Sequence, residues 1–342
     1  MKKYWKTKAK SLIIGVIFCL CAGLMTSCHS AGTSEKKATE KEDDTFRIVT
    51  SFYPLYIMVM NLTDGIDGVE IDNMAEPQTG CLHDYQLRPG DLVSLEGADV
   101  FLANGGGMEE FLSDVLDTYP SLTILYALDA LEFDELLPGE EHAHDGHAHE
   151  DEEKEEAQHA LEEGESVGTV ESGEINPHTW LNPVLYKKEL QYLSAALGER
   201  NPENKDRYEE NRQAYEKKID ALLAEYEDLQ EITEKEGCVL LHESFAYLAD
   251  AYGFPVLETI DVEKDSGFSA KEIRNLIDMV QEAGNGLLLS DSQYSGRISA
   301  LLSTETGMEV YQLDSCVSGE YEKDAWLNSM RKNLEELRNA AN

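Results

Sequence analysis

The chain has 342 residues and a formal charge of −40, with 68 acidic side chains against 28 basic ones. That length exceeds one comfortable core and predicts two lobes. The charge excludes nucleic-acid binding, which needs a basic surface to displace counterions, and is compatible with handling cations.

Residues 1–27 read as a signal peptide. A basic start, "MKKYWKTKAK", precedes the apolar run "SLIIGVIFCLCAGLM", which is short for a membrane span. "LMTSC" resembles a bacterial lipobox, with Met25 where leucine is usual. Lipidation would make Cys28 the new N-terminus and anchor the protein outside the cell membrane. A plain signal peptide cut near Ser27 is the alternative. Residues 28–46 carry no periodic apolar face and read as a flexible tether. Without the five signal-peptide lysines the charge is about −45. Beyond Cys28 the cysteines are Cys81, Cys238 and Cys316. An odd number in an exported chain implies one disulfide and one thiol.

Residues 47–187 are expected to form a first α/β lobe. "FRIVTSFYPLYIMVMNLTDG" starts as a strand and turns helical after Pro54; "VEIDNMA" is another strand. "RPGDLVSLEGADVFLANGGGMEEFLSDVLDTYP" reads as helix, strand, glycine turn and helix, and "LTILYAL" as a strand. Strands alternating with helices predict a parallel sheet covered on both faces. Residues 134–174 interrupt the pattern. They are acidic, contain histidines and read as a mobile surface insert with no core of its own.

Linking helices are expected over 188–230, with Asn201 and Pro202 as N-cap and first-turn pair of a helix of roughly 25 residues. Tyr208, Tyr215, Ile219, Leu222 and Tyr226 recur on one face of it, and it is long enough to bridge two lobes. Residues 231–342 form the second α/β lobe: strands at "CVLLH", "FPVLETI", "GLLLSDS" and "MEVYQLD", with helices between and after them.

Three histidines outside the insert stand at or near strand ends or in the loops after them: His83, His178 and His242. Asp314 and Asp291 also end strands. In open α/β sheets that rim binds ligands. Neutral imidazole suits zinc, and three histidines with one carboxylate close a tetrahedral site. Each residue alone reads as a hydrogen-bonded turn residue; together, from both halves of the chain, they predict a metal site between lobes. HExxH and Walker A motifs do not occur, and Glu243 is the one nominee for the base a zinc hydrolase needs.

The blocks "PQTGCLHDYQLRPGD", "NGGGMEEFL", "NPHTWLNP", "HESFAYLADAYGF" and "SDSQYSGRISALLSTETGMEVYQLD" resemble, in order, those of the metal-binding solute-binding lipoproteins of ABC uptake transporters, in particular their zinc-uptake branch. The resemblance covers roughly 47–342. It implies two α/β lobes joined by a long helix, with one Zn²⁺ in the cleft as transported ligand. It also implies a monomer tethered to the membrane that serves a permease and its ATPase. By position, His83, His178 and His242 match the histidine ligands and Asp314 the carboxylate, with Asp291 left open as a substitute. His242 favours zinc over Mn²⁺; a manganese-binding homologue and a metal-binding surface adhesin are the alternatives. If those ligands meet, Cys81 and Cys316 lie beside them, as a disulfide across the cleft or as a thiolate ligand. Cys238 reads as a buried small apolar residue. His142, His144, His147 and His149, in the insert, are expected to collect zinc near the cleft rather than to form the main site, unless the insert is merely solvated.

Overall fold

A computed structural model describes residues 45–75, 82, 85–139, 166–170, 175–227, 229, 237–260, 262, 269–284, 286–293 and 296–340. The expected signal peptide, residues 28–44 of the expected tether with Cys28, and the tract from His142 to His149 lie outside the described residues, as do Cys81 and His83; Phe46, placed at the tether's end, already opens the first strand.

The β-branched and aromatic run "FRIVT" forms strand β1 (Phe46–Thr50). The chain then enters helix α1 (Tyr53–Leu62) with Pro54 in its first turn, where a missing N–H costs nothing. Strand β2 (Val69–Asn73), helix α2 (Pro89–Ser94), strand β3 (Val100–Ala103), helix α3 (Leu112–Thr118) and strand β4 (Ile124–Tyr126) follow. All pairings are parallel, in the order β2-β1-β3-β4. Every residue of β3 is buried, as in a strand covered on both faces.

Two helices leave this lobe. Helix α4 (Pro183–Arg200) is capped by Asn182, whose side chain accepts from the N–H groups of Val184 and Leu185. Helix α5 (Lys205–Glu225) buries Tyr208, Tyr215, Ile219 and Leu222 as the spacing predicts, with Tyr226 at its end. Asn201 does not cap it. Its Oδ1 is taken by the Asn204 side chain, and Pro202–Asn204 form a 3-10 turn first. The helix therefore has 21 residues, about 32 Å. It packs against α1 of the first lobe and against the C-terminal helix of the second.

The second lobe holds strands β5 (Cys238–Leu240), β6 (Val256–Thr259), β7 (Leu287–Asp291) and β8 (Val310–Leu313). Helices α6 (Ala246–Ala251), α7 (Ala270–Ala283), α8 (Arg297–Thr306) and α9 (Ala325–Ala340) complete it. Its sheet is parallel in the order β6-β5-β7-β8, the topology of the first lobe repeated without sequence likeness. In each sheet the order reverses between the first and third strands, so the crevice forms at the carboxyl ends of β1 and β3, and of β5 and β7. One apolar cluster runs from Ile48 and Val49 through Trp180 and Tyr186 to Leu240, Leu289 and Trp326, so both halves share a core.

One part of the expected mobile insert is docked. Residues 166–170 lie against the first lobe: Gly106 N–H donates to Gly168 O at 3.2 Å, and Asp129 Oδ1 accepts from Ser166 Oγ and Gly168 N–H. Val167 and Val170 pack on Leu128, Leu131, Ile175, Leu185 and Tyr247. Gly168 permits the contact, since a Cβ there would sit 2.2 Å from Tyr126 Cβ. Residues 140–165 and 171–174 lie outside the described residues.

Candidate metal centre

The glycine turn after β3 is the foundation of the first-lobe half. Gly105, Gly106 and Gly107 all have positive φ, a backbone that side-chain-bearing residues rarely adopt. The buried Glu109 carboxylate accepts from Ser51 Oγ at 2.7 Å, Asn104 N–H at 2.7 Å and Gly105 N–H at 3.0 Å. It ties the ends of β1 and β3 together. Burial pushes its pKa up while these donors pull it down. The two N–H groups taken by Glu109 are not offered to an anion. Asn104 Nδ2 donates to Pro177 O at 2.9 Å and so holds the loop that carries His178.

His178 is fully buried and precedes the 3-10 turn Thr179–Leu181. Its backbone N–H and its Nδ1 both meet Asn176 Oδ1, at 3.0 and 2.8 Å. An amide oxygen only accepts, so the ring proton sits on Nδ1 and Nε2 keeps its lone pair. Trp180, two residues on, donates from Nε1 to Ser315 O at 2.8 Å in the second lobe and packs edge-on against Phe52 of the first.

His242 lies two residues past the end of β5 and caps the 3-10 turn Glu243–Phe245, with Nδ1 accepting from Ser244 N–H at 3.1 Å. The rings of His178 and His242 stand perpendicular, centroids 5.3 Å apart. Across the same junction Asn176 Nδ2 donates to Glu243 O at 3.0 Å, and Glu243 Oε1 comes within 3.8 Å of His178 Nδ1. The residue nominated as a hydrolase base thus flanks the protonated side of a histidine.

Asp291 closes β7, the strand beside β5, and is 4% exposed. Burial pushes its pKa up; the Ser315 hydroxyl, the Gln293 N–H and the nearby His242 ring pull it down, and the Asp314 charge pushes it up again. Asp314 follows β8 and is half-buried. Its Oδ1 accepts from Cys316 N–H at 2.8 Å and its Oδ2 from Ser329 Oγ at 2.7 Å, while Asn333 brackets its backbone N–H and C=O.

The structure therefore brings His178 and His242 together, with Asp291 and Asp314 at the adjoining rim. His83 lies outside the described residues, although Leu82 and Tyr85 on either side are buried in the main cluster. Among the described residues no three His, Cys, Asp or Glu side chains converge to hold an ion. Cys316 carries a free, buried thiol at φ 61°, and its expected partner Cys81 lies outside the described residues. Burial and the charges of Asp314 and Asp291 push this thiol well up, which disfavours a thiolate. Cys238 is fully buried in β5, its thiol pushed up to about 12 by burial, as befits a small apolar residue. Sequence reasoning missed Asn176, Ser244 and Ser315. The nearest signal was the N-P-H and H-E-S order around the two histidines.

A family model described as ZnuA, zinc-uptake complex component A periplasmic, matches residues 48–340. The high-affinity zinc uptake system protein ZnuA of Bacillus subtilis is 24% identical over 330 residues, 95% of this chain and 96% of its own length. The zinc-binding lipoprotein AdcA of Streptococcus pneumoniae is 27% identical over 328 residues, 93% of this chain, which spans only 59% of that relative. Among solved structures, the Zn(II)-bound ZnuA-like domain of S. pneumoniae AdcA matches with a TM-score of 0.66 at 23% identity, over 87% of this chain and 99% of its own. At that identity the likeness shows the fold. The two-sheet fold, the histidines meeting where the lobes join and a family match that spans both lobes lead to one conclusion: the chain belongs to the zinc-uptake complex component A family.

Proposed function

We propose that this protein is the extracytoplasmic capture component of a zinc importer. It takes Zn²⁺ between its lobes and delivers it to an ABC permease driven by a separate ATPase. The observation that carries this reading is the pair His178 and His242, buried and perpendicular at 5.3 Å, one from the first lobe and one from the second. Ligands drawn from both lobes fasten the lobes as they bind. The proposed donors are His83, His178, His242 and one carboxylate. Asp314 is the carboxylate by family position; Asp291, at the crevice between β5 and β7, is its rival. Three imidazoles suit zinc better than manganese. The family is one of transport components, and no catalytic step is assigned.

The mature chain in this reading starts at lipidated Cys28 and reaches the membrane through residues 28–46. His142, His144, His147 and His149 gather zinc near the cleft, and Cys81 with Cys316 can close a bridge beside the site under oxidising conditions.

Calorimetric titration of the metal-free mature protein with zinc and manganese, beside His242→Ala, tests this. The expected result is one tight zinc site, weakened at least about hundredfold by the substitution, beyond the 10–100-fold typical of losing an outer-shell partner. Manganese binds feebly. Tight manganese binding indifferent to His242 would overturn the reading. Asp314→Asn against Asp291→Asn names the carboxylate.

A further inference from the structure

The two facing histidines hold their protons on opposite ring nitrogens. In His178 the Nδ1 position is settled by Asn176, whose Oδ1 also takes the His178 backbone N–H at 3.0 Å. Turning that amide round would set an NH₂ group against an N–H. Nε2 therefore presents a lone pair, the form a metal needs.

His242 is the reverse. Its Nδ1 accepts the Ser244 backbone N–H at 3.1 Å, and a neutral imidazole carries one proton, so that proton sits on Nε2. Neither nitrogen then has a lone pair to give. Coordination through Nε2 sends the proton to Nδ1, where it would point at the Ser244 N–H. Coordination through Nδ1 displaces that N–H directly. Either route breaks the bond.

We propose that His178 is the fixed ligand and His242 the latched one. In the metal-free protein the Ser244 N–H holds His242 closed to metal, and zinc entry releases it. The inference rests on the zinc site proposed above. The turn that the latch belongs to, Glu243–Phe245, leads into α6, and turn and helix each touch the first lobe. Asn176 Nδ2 holds Glu243 O, and Tyr247 Oη donates to Asn176 O at 2.8 Å while accepting from Leu137 N–H at 2.9 Å. Release at His242 therefore acts on the segment that joins the lobes, and gives metal loading a structural readout beyond the ligands. The same turn carries a buried hydroxyl, Ser244 Oγ, that makes no hydrogen bond among the described residues. A buried donor left unpaired in the latched form favours a form in which the turn has moved.

Nuclear magnetic resonance of nitrogen-labelled mature protein tests the latch. Ring tautomers are read from two-bond proton–nitrogen correlations, at about pH 8 where an ordinary imidazole is neutral. His178→Gln and His242→Gln assign the ring signals. The expected zinc-free spectrum has His178 with its proton on Nδ1 and His242 with its proton on Nε2. Zinc should leave the His178 tautomer unchanged, move the His242 proton to Nδ1, and take the Ser244 amide out of its hydrogen-bonded position. A His242 proton already on Nδ1 without zinc, or an unchanged His242 tautomer while zinc perturbs both rings, overturns the latch and leaves the zinc site standing. Zinc perturbing neither ring overturns the zinc site, and the latch with it.

Discussion

Asn176 uses both ends of one amide. Its oxygen fixes the tautomer of His178, and its nitrogen holds the backbone carbonyl that follows His242. It is 1% exposed, so water cannot replace it cheaply. Asn176→Ala should leave the fold in place and weaken zinc binding roughly 10–100-fold, because the His178 ring loses the partner that keeps Nε2 ready. Asn176→Asp keeps an acceptor for His178 and loses the donor to Glu243 O, so it should fall between the two. Calorimetric affinities set against thermal melts check this, and equal zinc affinity in all three proteins would remove Asn176 from the site. That His178 and His242 stand at loops and strand ends was legible in the sequence, and the structure brings the two together. Their partners were not legible, because nothing in the order N-P-H says which oxygen the ring will find.

At the scale of elements, Gly168 shows what composition hides. Its segment is short, flanked by acidic residues, and reads as part of an insert without a core. Yet it fits between Tyr126 and the glycine turn, where Gly105 and Gly168 are so close that a Cβ on Gly105 would lie 2.6 Å from Gly168 Cα. Gly168→Ala should destabilise the protein by roughly 1–3 kcal/mol, the usual cost of overpacking, measured by urea unfolding. An unchanged midpoint would mean that the segment is not held there. The strands and helices were otherwise legible in order, since β-branched runs alternate with periodic stretches and glycine or proline marks most of the joints. The start of α5 was not, because Asn201 spends its side chain on Asn204 rather than on a backbone N–H. That choice is made by local packing, and either outcome satisfies the sequence rule for a cap. Nor was the sheet order legible. The repeated order appears only once the strands pair, and it is the order that puts His242 beside Asp291.

Across the whole molecule the two lobes share one apolar cluster, and α4 carries a carboxyl group inside the fold. Glu189 is buried, accepts from Thr179 Oγ1 at 2.5 Å through Oε1, and has no partner for Oε2 among the described residues. Burial raises its pKa to about 7, with the Thr179 bond pulling the other way. Tyr186 and Tyr247 add to the surrounding polar groups, and burial drives both hydroxyls up as well, so they stay neutral. An unfolded glutamate titrates near 4.3. Between that value and about 7 the folded chain holds a proton that the unfolded chain has released. This group therefore favours folding most at low pH, and the benefit is lost as pH rises through about 7, where the carboxylate must be charged inside the core. Thr179 follows His178 directly, so the penalty falls on the loop that carries His178. Glu189→Gln keeps an acceptor for Thr179 and removes the charge. The stability of this variant relative to the parent should rise by roughly 1–3 kcal/mol between about pH 5 and pH 8, read from urea midpoints at both values. A difference that stays constant across that range would mean that Glu189 does not carry the pH dependence assigned to it.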